Sequence, residues 1–257
     1  MRRGLAVGEL TTYEELASEY YDARRHPTCA NFRTASRAIL EHWLPIANSP
    51  HGEVWEVGAG ASLVAELLSQ RDKNLDRLLI LDSSPSMLRH SEQWQRHGAE
   101  LVVAPATDIP AADASAELVV SSLGDAYNVD AFWAEVGRVL APDGLCLFTT
   151  PAHAWSSRFR NGADAGTAEF ELADGRQVLV PSFIDRPEQQ AERIERAGLV
   201  VEEVVDLPFS RLDAAEPRSP KLEVVRDDDA SVITGYRARR PASGARRGPR
   251  HARLGSE

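Results

Sequence analysis

Apolar positions follow two different patterns in the middle of the chain. Between residues 53 and 150, short continuous apolar runs alternate with segments whose apolar residues recur every three or four positions. The runs predict buried strands, and the periodic segments predict amphipathic helices. Strands that are apolar on both faces are typical of a parallel sheet covered by helices on both sides. The predicted strands are Val54–Val57, Leu78–Leu81, Leu101–Val103, Leu118–Ser121 and Leu145–Thr149.

The N-terminal part of the chain shows helical spacing only. Thr12 and Glu15 stand in a capping-box pattern, which predicts the start of a helix. A second helix is predicted after the break at His26-Pro27. We therefore expect residues 1–46 to form a helical lid in front of a larger domain.

The last third of the chain is less regular. Glu169–Leu172 and Gln177–Val180 flank an Asp-Gly pair, which predicts a β-hairpin. We place this hairpin in an insertion around residues 156–184 of a catalytic domain that spans residues 47–240. A helix from Asp185 to Gly198 and two strands, Leu199–Val205 and Val232–Arg237, complete that domain. The tail, residues 241–257, is basic without an apolar period, and we expect it to be disordered.

Composition and charge narrow the class of protein. Apolar residues make up 43% and charged residues 26% of the 257 positions, which is typical of a globular chain. The net charge of −10 opposes binding to a phosphate backbone, so we expect no duplex nucleic acid partner. Two cysteines are too few for a disulfide framework, which favours a cytoplasmic location. No apolar run approaches a membrane span and none follows the basic N-terminus, so we expect neither membrane insertion nor a secretory signal.

A glycine loop after the first predicted strand is the strongest local signal. The segment reads Val54-Trp55-Glu56-Val57-Gly58-Ala59-Gly60-Ala61-Ser62. Two cofactor classes use such a loop, since glycine lets the backbone approach a ligand closely. A dinucleotide fingerprint wants a small third residue at position 63, where this chain has Leu63. An S-adenosylmethionine loop has the pattern acid-x-G-x-G-x-G, which Glu56, Gly58 and Gly60 match, with Ser62 at the last glycine.

An acid follows at the end of the second predicted strand. Asp82 lies 24 positions after Gly58 and can accept hydrogen bonds from both ribose hydroxyls of a nucleoside. The alternative is that Asp82 only caps the helix that begins near Pro85. The glycine loop upstream favours the ribose interpretation.

Together these segments resemble the class I S-adenosylmethionine-dependent methyltransferases over roughly residues 50–150, and more weakly to about residue 240. Residues 138–145 are similar to the family's signature before the fifth strand. The resemblance implies an α/β fold, a Rossmann-like three-layer sandwich with a seven-stranded, mostly parallel sheet in the order 3-2-1-4-5-7-6. It implies that Glu56, Gly58 and Gly60 surround the methionyl end of S-adenosyl-L-methionine and that Asp82 holds the ribose.

The resemblance also implies further contacts to this cofactor. Residues 103–110 are similar to the family's adenine loop. Many members place an acid where this chain has Pro105. The alternative contact to the adenine is the backbone of Ala106 or the side chain of Asp108. In similar enzymes the N-terminal region folds over the cofactor, and a tyrosine or arginine reaches its carboxylate. The remaining candidates are Tyr21, Arg33, Ser83, Met87, Thr107 and Ser122. For Met87, simple core packing is the alternative.

Candidate catalytic residues lie where strands end. His153 follows the fifth predicted strand and has the side-chain chemistry of a general base, with a surface histidine as the alternative. Asp125 and Tyr127 lie in the loop after the fourth strand, and His26 lies in the lid. That loop lacks the Asn/Asp-Pro-Pro-Tyr pattern of amino-group methylation of DNA bases or glutamine. The seven histidines show no metal spacing, so we expect no metal.

The sequence therefore predicts an enzyme that moves a methyl group from S-adenosyl-L-methionine to an oxygen or nitrogen of a small-molecule acceptor. Two alternatives keep the cofactor. One is an enzyme that carries out a cyclisation or elimination on S-adenosylmethionine, and the other is a non-catalytic cofactor-binding module. Neither the acceptor nor the oligomeric state follows from the sequence.

Overall fold

The computed structural model describes residues 12–44, 52–71, 73–160, 165–213 and 217–242. Parts of three predicted segments lie outside these ranges. They are residues 1–11 and 45–46 of the lid, residues 161–164 of the insertion, and residues 243–257 of the tail that we expect to be disordered.

A seven-stranded sheet forms the centre of the protein. Its spatial order is β3-β2-β1-β4-β5-β9-β8, and only β9 runs antiparallel to its neighbours. Counted within this sheet alone, β8 is the sixth and β9 the seventh strand along the chain, so the predicted order 3-2-1-4-5-7-6 is confirmed. The strands are β1 Glu53–Val57, β2 Leu78–Asp82, β3 Glu100–Val103, β4 Ala116–Ser121, β5 Leu140–Pro151, β8 Val200–Pro208 and β9 Ser231–Arg239.

Two further strands form a separate hairpin between β5 and β8. β6, Thr167–Glu171, pairs antiparallel with β7, Gln177–Pro181. Gly175 in the connecting turn has a φ of +83°, which a glycine adopts without strain. The hairpin predicted from the Asp-Gly pair is thereby confirmed.

Helices cover both faces of the sheet, because successive side chains of each buried strand point to opposite sides. On one face, Val54 of β1 packs in a cluster with residues of α2 and α3; on the other face, Trp55 packs with residues of α5 and α7. The result is the predicted three-layer sandwich. The helices are α1 Tyr13–Leu16, α2 Pro27–Trp43, α3 Leu63–Ser69, α4 Pro85–Leu88, α5 Asp130–Val139, α6 His153–Ser156 and α7 Pro187–Arg196. A 3₁₀ helix, Arg89–His97, continues directly from α4.

The first helix is shorter than its sequence pattern predicts. α1 makes one turn, and residues 17–25 form mostly turns. The predicted capping box is not formed, because the Thr12 side chain makes no capping hydrogen bond and Glu15 bonds instead to Arg176, 3.2 Å away. A single uncapped turn is not stable by itself, and α1 is held by burial of Leu16 against the hairpin.

Close packing of α2 against β9 generates a stability prediction. A Cβ added at Gly235 would lie 2.7 Å from the Trp43 ring and 2.8 Å from the Ile39 side chain. We expect Gly235→Ala to lower the free energy of unfolding by about 1–3 kcal/mol through overpacking, measured by urea denaturation. The control is Gly166→Ala, where the added Cβ would meet Phe183 at an ordinary 3.4 Å. Equal unfolding midpoints for the two variants would contradict this account of the interface.

Candidate functional site

Two glycines shape the loop that follows β1. Gly58 has a φ of +65° and Gly60 a φ of +49°, which L side chains rarely adopt. A Cβ on Gly58 would also lie 2.1 Å from the Tyr127 hydroxyl, and one on Gly60 2.2 Å from the Tyr21 hydroxyl. Both positions therefore require glycine for two reasons, the backbone conformation and the close approach of a tyrosine.

Glu56, near the end of β1, is buried at the start of α3. Its carboxylate accepts hydrogen bonds from the backbone N–H groups of Leu63, at 2.9 Å, and Val64, at 3.2 Å, and from the Ser62 hydroxyl. A negative charge at a helix start is favourable, but burial opposes ionisation and raises the pKa of Glu56 to about 6. Glu56 thus fixes the glycine loop to α3.

Asp82 ends β2 and connects the glycine loop to the next helix. Its carboxylate accepts hydrogen bonds from the backbone N–H of Gly60, at 3.0 Å, and of Ser84, at 2.9 Å. Ser84 is the residue before α4, so the capping interpretation of Asp82 is seen in part. The same side chain lines a cavity, and its oxygens retain acceptor capacity for a ligand. Burial raises the pKa of Asp82.

Two residues of the N-terminal region lie on the glycine loop. The Tyr21 hydroxyl accepts a hydrogen bond from the backbone N–H of Ala61 at 2.7 Å, and Arg33 donates to the carbonyl of Ala61, also at 2.7 Å. The Arg33 guanidinium lies 5.4 Å from the centre of the Tyr21 ring. Burial raises the pKa of Tyr21 to about 12, so this phenol is neutral.

A cavity of about 300 Å³ opens at the carboxyl ends of β1, β2 and β4, within the size range of small-molecule sites. Of the predicted cofactor residues, Gly60 does not line it, and its backbone N–H instead orients Asp82. Of the two alternative adenine contacts, Ala106 lines the cavity and Asp108 does not. The predicted residues that line the cavity are Tyr21, Arg33, Glu56, Gly58, Asp82, Ser83, Met87, Ala106, Thr107 and Ser122.

Most of the predicted catalytic residues, unlike the predicted cofactor residues, do not line the cavity. Tyr127 lines the cavity, but its hydroxyl donates to the carbonyl of Val57 at 2.6 Å. Asp125 is buried and accepts a hydrogen bond from the Ser182 hydroxyl. His153 begins α6 and His26 precedes α2, and neither is among the described residues that line the cavity. Their catalytic roles stay predictions.

Several lining residues were not predicted from the sequence. They come from the lid, from the loop after β4 and from the hairpin: Thr12, Tyr13, Tyr20, Leu123, Ala126 and Pro181. Tyr13 and Tyr20 are seven positions apart. This helical spacing does not show whether the two side chains line a site or are only buried within the lid. No local pattern indicates Pro181, because the hairpin reaches the site only through the fold.

The lid is fastened at both sides of the cavity. Glu14 accepts hydrogen bonds from the backbone N–H of Ser86, at 3.1 Å, and from the hydroxyls of Ser84 and Ser86 at the start of α4. On the other side, Leu16 is fully buried in a small apolar cluster with the hairpin residues Leu172, Val178 and Val180. Residues of the lid and of the hairpin therefore border the same cavity.

Comparisons with known proteins agree with this geometry. A family model described as a methyltransferase domain matches residues 55–148. No curated protein matches the chain significantly.

Three solved structures share the fold. The DhpI–SAM–HEP complex is 20% identical, with a TM-score of 0.62, and the match covers 89% of this chain and 94% of that one. An S-adenosylmethionine-dependent methyltransferase from Mesorhizobium loti is 17% identical, with a TM-score of 0.55 and coverage of 77% and 97%. Geranyl diphosphate C-methyltransferase from Streptomyces coelicolor A3(2), in complex with Mg²⁺, geranyl diphosphate and S-adenosyl-L-homocysteine, is 15% identical, with a TM-score of 0.58 and coverage of 79% and 77%.

Two kinds of feature are absent from the described ranges. No helix there has the length and apolar character needed to cross a membrane. The same residues contain no group of three or more histidine, cysteine, aspartate or glutamate side chains placed to hold a metal ion.

The contacts of Glu14 generate a kinetic prediction. Replacing Glu14 with glutamine removes the charge from its hydrogen bonds to Ser84 and Ser86, and charge-assisted bonds are the stronger ones. We expect S-adenosylhomocysteine to dissociate roughly threefold faster from Glu14→Gln than from the wild type, measured by stopped-flow displacement. The control is Glu92→Gln, an exposed acid on the 3₁₀ helix that continues α4. An unchanged or slower dissociation from Glu14→Gln would show that this contact does not hold the lid closed.

The raised pKa of Glu56 generates a pH prediction. Its pKa rises from 4.5 to about 6 on folding, so the folded state keeps a proton that the unfolded state releases between these values. Stability from this group is therefore present at low pH and falls by about 2 kcal/mol as the pH rises through that window. Glu56→Gln removes the titration, so the wild-type unfolding free energy should fall relative to the variant between pH 4.5 and 7. Parallel urea-denaturation profiles for the two proteins would contradict this assignment.

Proposed function

We propose that this chain is a class I S-adenosylmethionine-dependent methyltransferase that moves the methyl group of S-adenosylmethionine to an oxygen or nitrogen of a small molecule. Residues 55–148 match a family model described as a methyltransferase domain, which supports this proposal. The observation that carries the proposal is a convergence. The glycine loop after β1, the acid that ends β2 and two residues of the N-terminal region all meet at one cavity. This arrangement suits a ligand that combines an amino acid with a nucleoside.

The polar ends of the cofactor have matching partners in the cavity wall. Asp82 accepts hydrogen bonds from the ribose hydroxyls, since its carboxylate is already oriented by Gly60 and Ser84. Arg33 faces the cavity with a charge that suits the amino-acid carboxylate. Tyr21 lies beside it as a neutral phenol. Ser83, Met87, Ala106 and Thr107 surround the adenine ring.

A small acceptor fits the closed form of the cavity. The lid and the hairpin lie over it, held by the Glu14 contacts and by the apolar cluster around Leu16. A polymer chain would have to displace both, whereas a small molecule needs only the space beneath them. The net charge of −10 also disfavours a nucleic acid acceptor.

The wall beyond the cofactor residues favours oxygen or nitrogen over carbon as the acceptor atom. Tyr13 and Tyr20 bring hydroxyl groups to the cavity, and an oxygen or nitrogen can exchange hydrogen bonds with them. The fold neighbour from Streptomyces coelicolor is a C-methyltransferase, so the acceptor atom is set by the lining and not by the fold.

The rate enhancement comes from aligning the cofactor with the acceptor and from excluding water. When bound, the cofactor supplies an activated methyl group, whose bond to sulfur breaks as its bond to the acceptor forms, leaving S-adenosylhomocysteine. Holding two reactants in line contributes on the order of 7–11 kcal/mol. Tyr127 is the only predicted base among the described lining residues, and its hydroxyl is engaged with Val57. The proton displaced from the acceptor is lost to water as the product leaves the cavity.

Cofactor binding tests the proposal. We expect Asp82→Asn to bind S-adenosylhomocysteine roughly tenfold to a hundredfold more weakly than the wild type, because charge-assisted hydrogen bonds contribute about 1.5–3 kcal/mol. Isothermal titration calorimetry measures the two affinities. The matched control is Asp227→Asn, which removes an exposed carboxylate from a loop whose residues do not line the cavity.

Two outcomes would overturn the proposal. One is equal affinity of the wild type and Asp82→Asn, and the other is no binding to the wild type. Product analysis separates methyl transfer from the other reactions of the cofactor, since transfer yields S-adenosylhomocysteine whereas elimination or cyclisation yields methylthioadenosine.

A further inference from the structure

One part of the cavity is aromatic and apolar. We call it the lid pocket and define it by Tyr13 and Tyr20 of the lid, Leu123 and Ala126 of the loop after β4, and Pro181 of the hairpin. None of these five residues has a charged side chain. The charged side chains of the described wall, Arg33, Glu56 and Asp82, all belong to the proposed cofactor contacts.

The hydroxyls of Tyr13 and Tyr20 make no hydrogen bond among the described residues, whereas those of the other tyrosines of the cavity each make at least one. The Tyr21 hydroxyl bonds to the backbone of Ala61 and the Tyr127 hydroxyl to the carbonyl of Val57. Burial raises the pKa of Tyr13 well above its ordinary value, so its phenol stays protonated and can donate.

The Tyr13 side chain is held in place by its surroundings. Its ring meets the ring of Tyr20 edge-on, with centroids 5.7 Å apart. The next residue, Glu14, bonds to the start of α4, and Leu16 anchors the same turn in the hairpin cluster. The unpaired hydroxyl is therefore presented to the cavity at a fixed position, as a preorganised binding group requires.

We propose that the acceptor is an uncharged aromatic molecule whose ring packs in the lid pocket and whose oxygen accepts a hydrogen bond from the Tyr13 hydroxyl. This inference rests on the proposed function, because it names the acceptor of that reaction. Aromatic rings pair favourably with the edges and faces of tyrosine. The five residues of the lid pocket offer a charged acceptor no counter-ion, which disfavours its desolvation there.

A set of ligands with one ring system tests the charge and the hydroxyl separately. The probes are 2-naphthol, 2-naphthoate, 2-naphthylmethylammonium and naphthalene, each titrated with and without S-adenosylhomocysteine and followed by ligand fluorescence. We expect the wild type to bind 2-naphthol at least about tenfold more tightly than either charged probe. This comparison needs no variant, so it stands even where a substitution impairs folding.

Tyrosine-to-phenylalanine variants test the hydrogen bond. Tyr13→Phe should weaken 2-naphthol roughly threefold to tenfold, the effect of one neutral hydrogen bond, and should leave the affinity for naphthalene within twofold. The matched control is Tyr20→Phe, which removes a phenol oxygen from the same pocket. It should change the affinities for 2-naphthol and naphthalene by the same factor, since the proposed hydrogen bond is donated by Tyr13 and not by Tyr20.

Several results would overturn the inference. They are tighter or equal binding of a charged probe, no binding of 2-naphthol, and an equal loss of 2-naphthol and naphthalene in Tyr13→Phe. Failure of the proposed function is a separate result, since it shows as no binding of S-adenosylhomocysteine to the wild type by isothermal titration calorimetry.

Discussion

The hydrogen bond between the backbone N–H of Gly60 and the Asp82 carboxylate, 3.0 Å long, couples the two halves of the cofactor site. Gly60 belongs to the loop after β1 and Asp82 to the end of β2, strands that lie side by side with Val57 opposite Leu81. The same carboxylate accepts from Ser84 and so fixes the start of α4. Glu14 of the lid accepts a hydrogen bond from the start of α4, so the position of the lid depends on Asp82 as well.

Two buried acids in one site oppose folding, and the structure offsets this cost with backbone donors. Glu56 and Asp82 are both buried, and burial raises the pKa of each. Each carboxylate accepts backbone N–H bonds, Glu56 at the start of α3 and Asp82 beside α4. Donors held in this way cannot turn away when a ligand arrives, so the acids are oriented before binding. Burying the two acids thus lowers the stability of the fold, but it holds both carboxylates in the orientation that binding requires, as is common at functional sites.

The sequence predicts the centre of the fold well, because the patterns that define it lie within short stretches of the chain. Continuous apolar runs give the strands, and Gly58, Gly60 and Asp82 sit in spacings that follow directly from a strand–loop–helix unit. The lid is different. α1 is short because Glu14 and Glu15 bond to Ser84 and Arg176, far along the chain, and not to their own helix. Tyr13 and Pro181 meet the cavity through equally distant contacts, which no periodicity of the sequence encodes.

One segment of the lid covers both ligands of the proposed reaction. Tyr21 contacts the glycine loop on the cofactor side, and Tyr13 borders the lid pocket on the acceptor side. Only seven residues separate them, and the segment is anchored between them by Leu16. A movement of this segment that releases the cofactor must therefore also disturb the acceptor, because the same segment borders both binding positions.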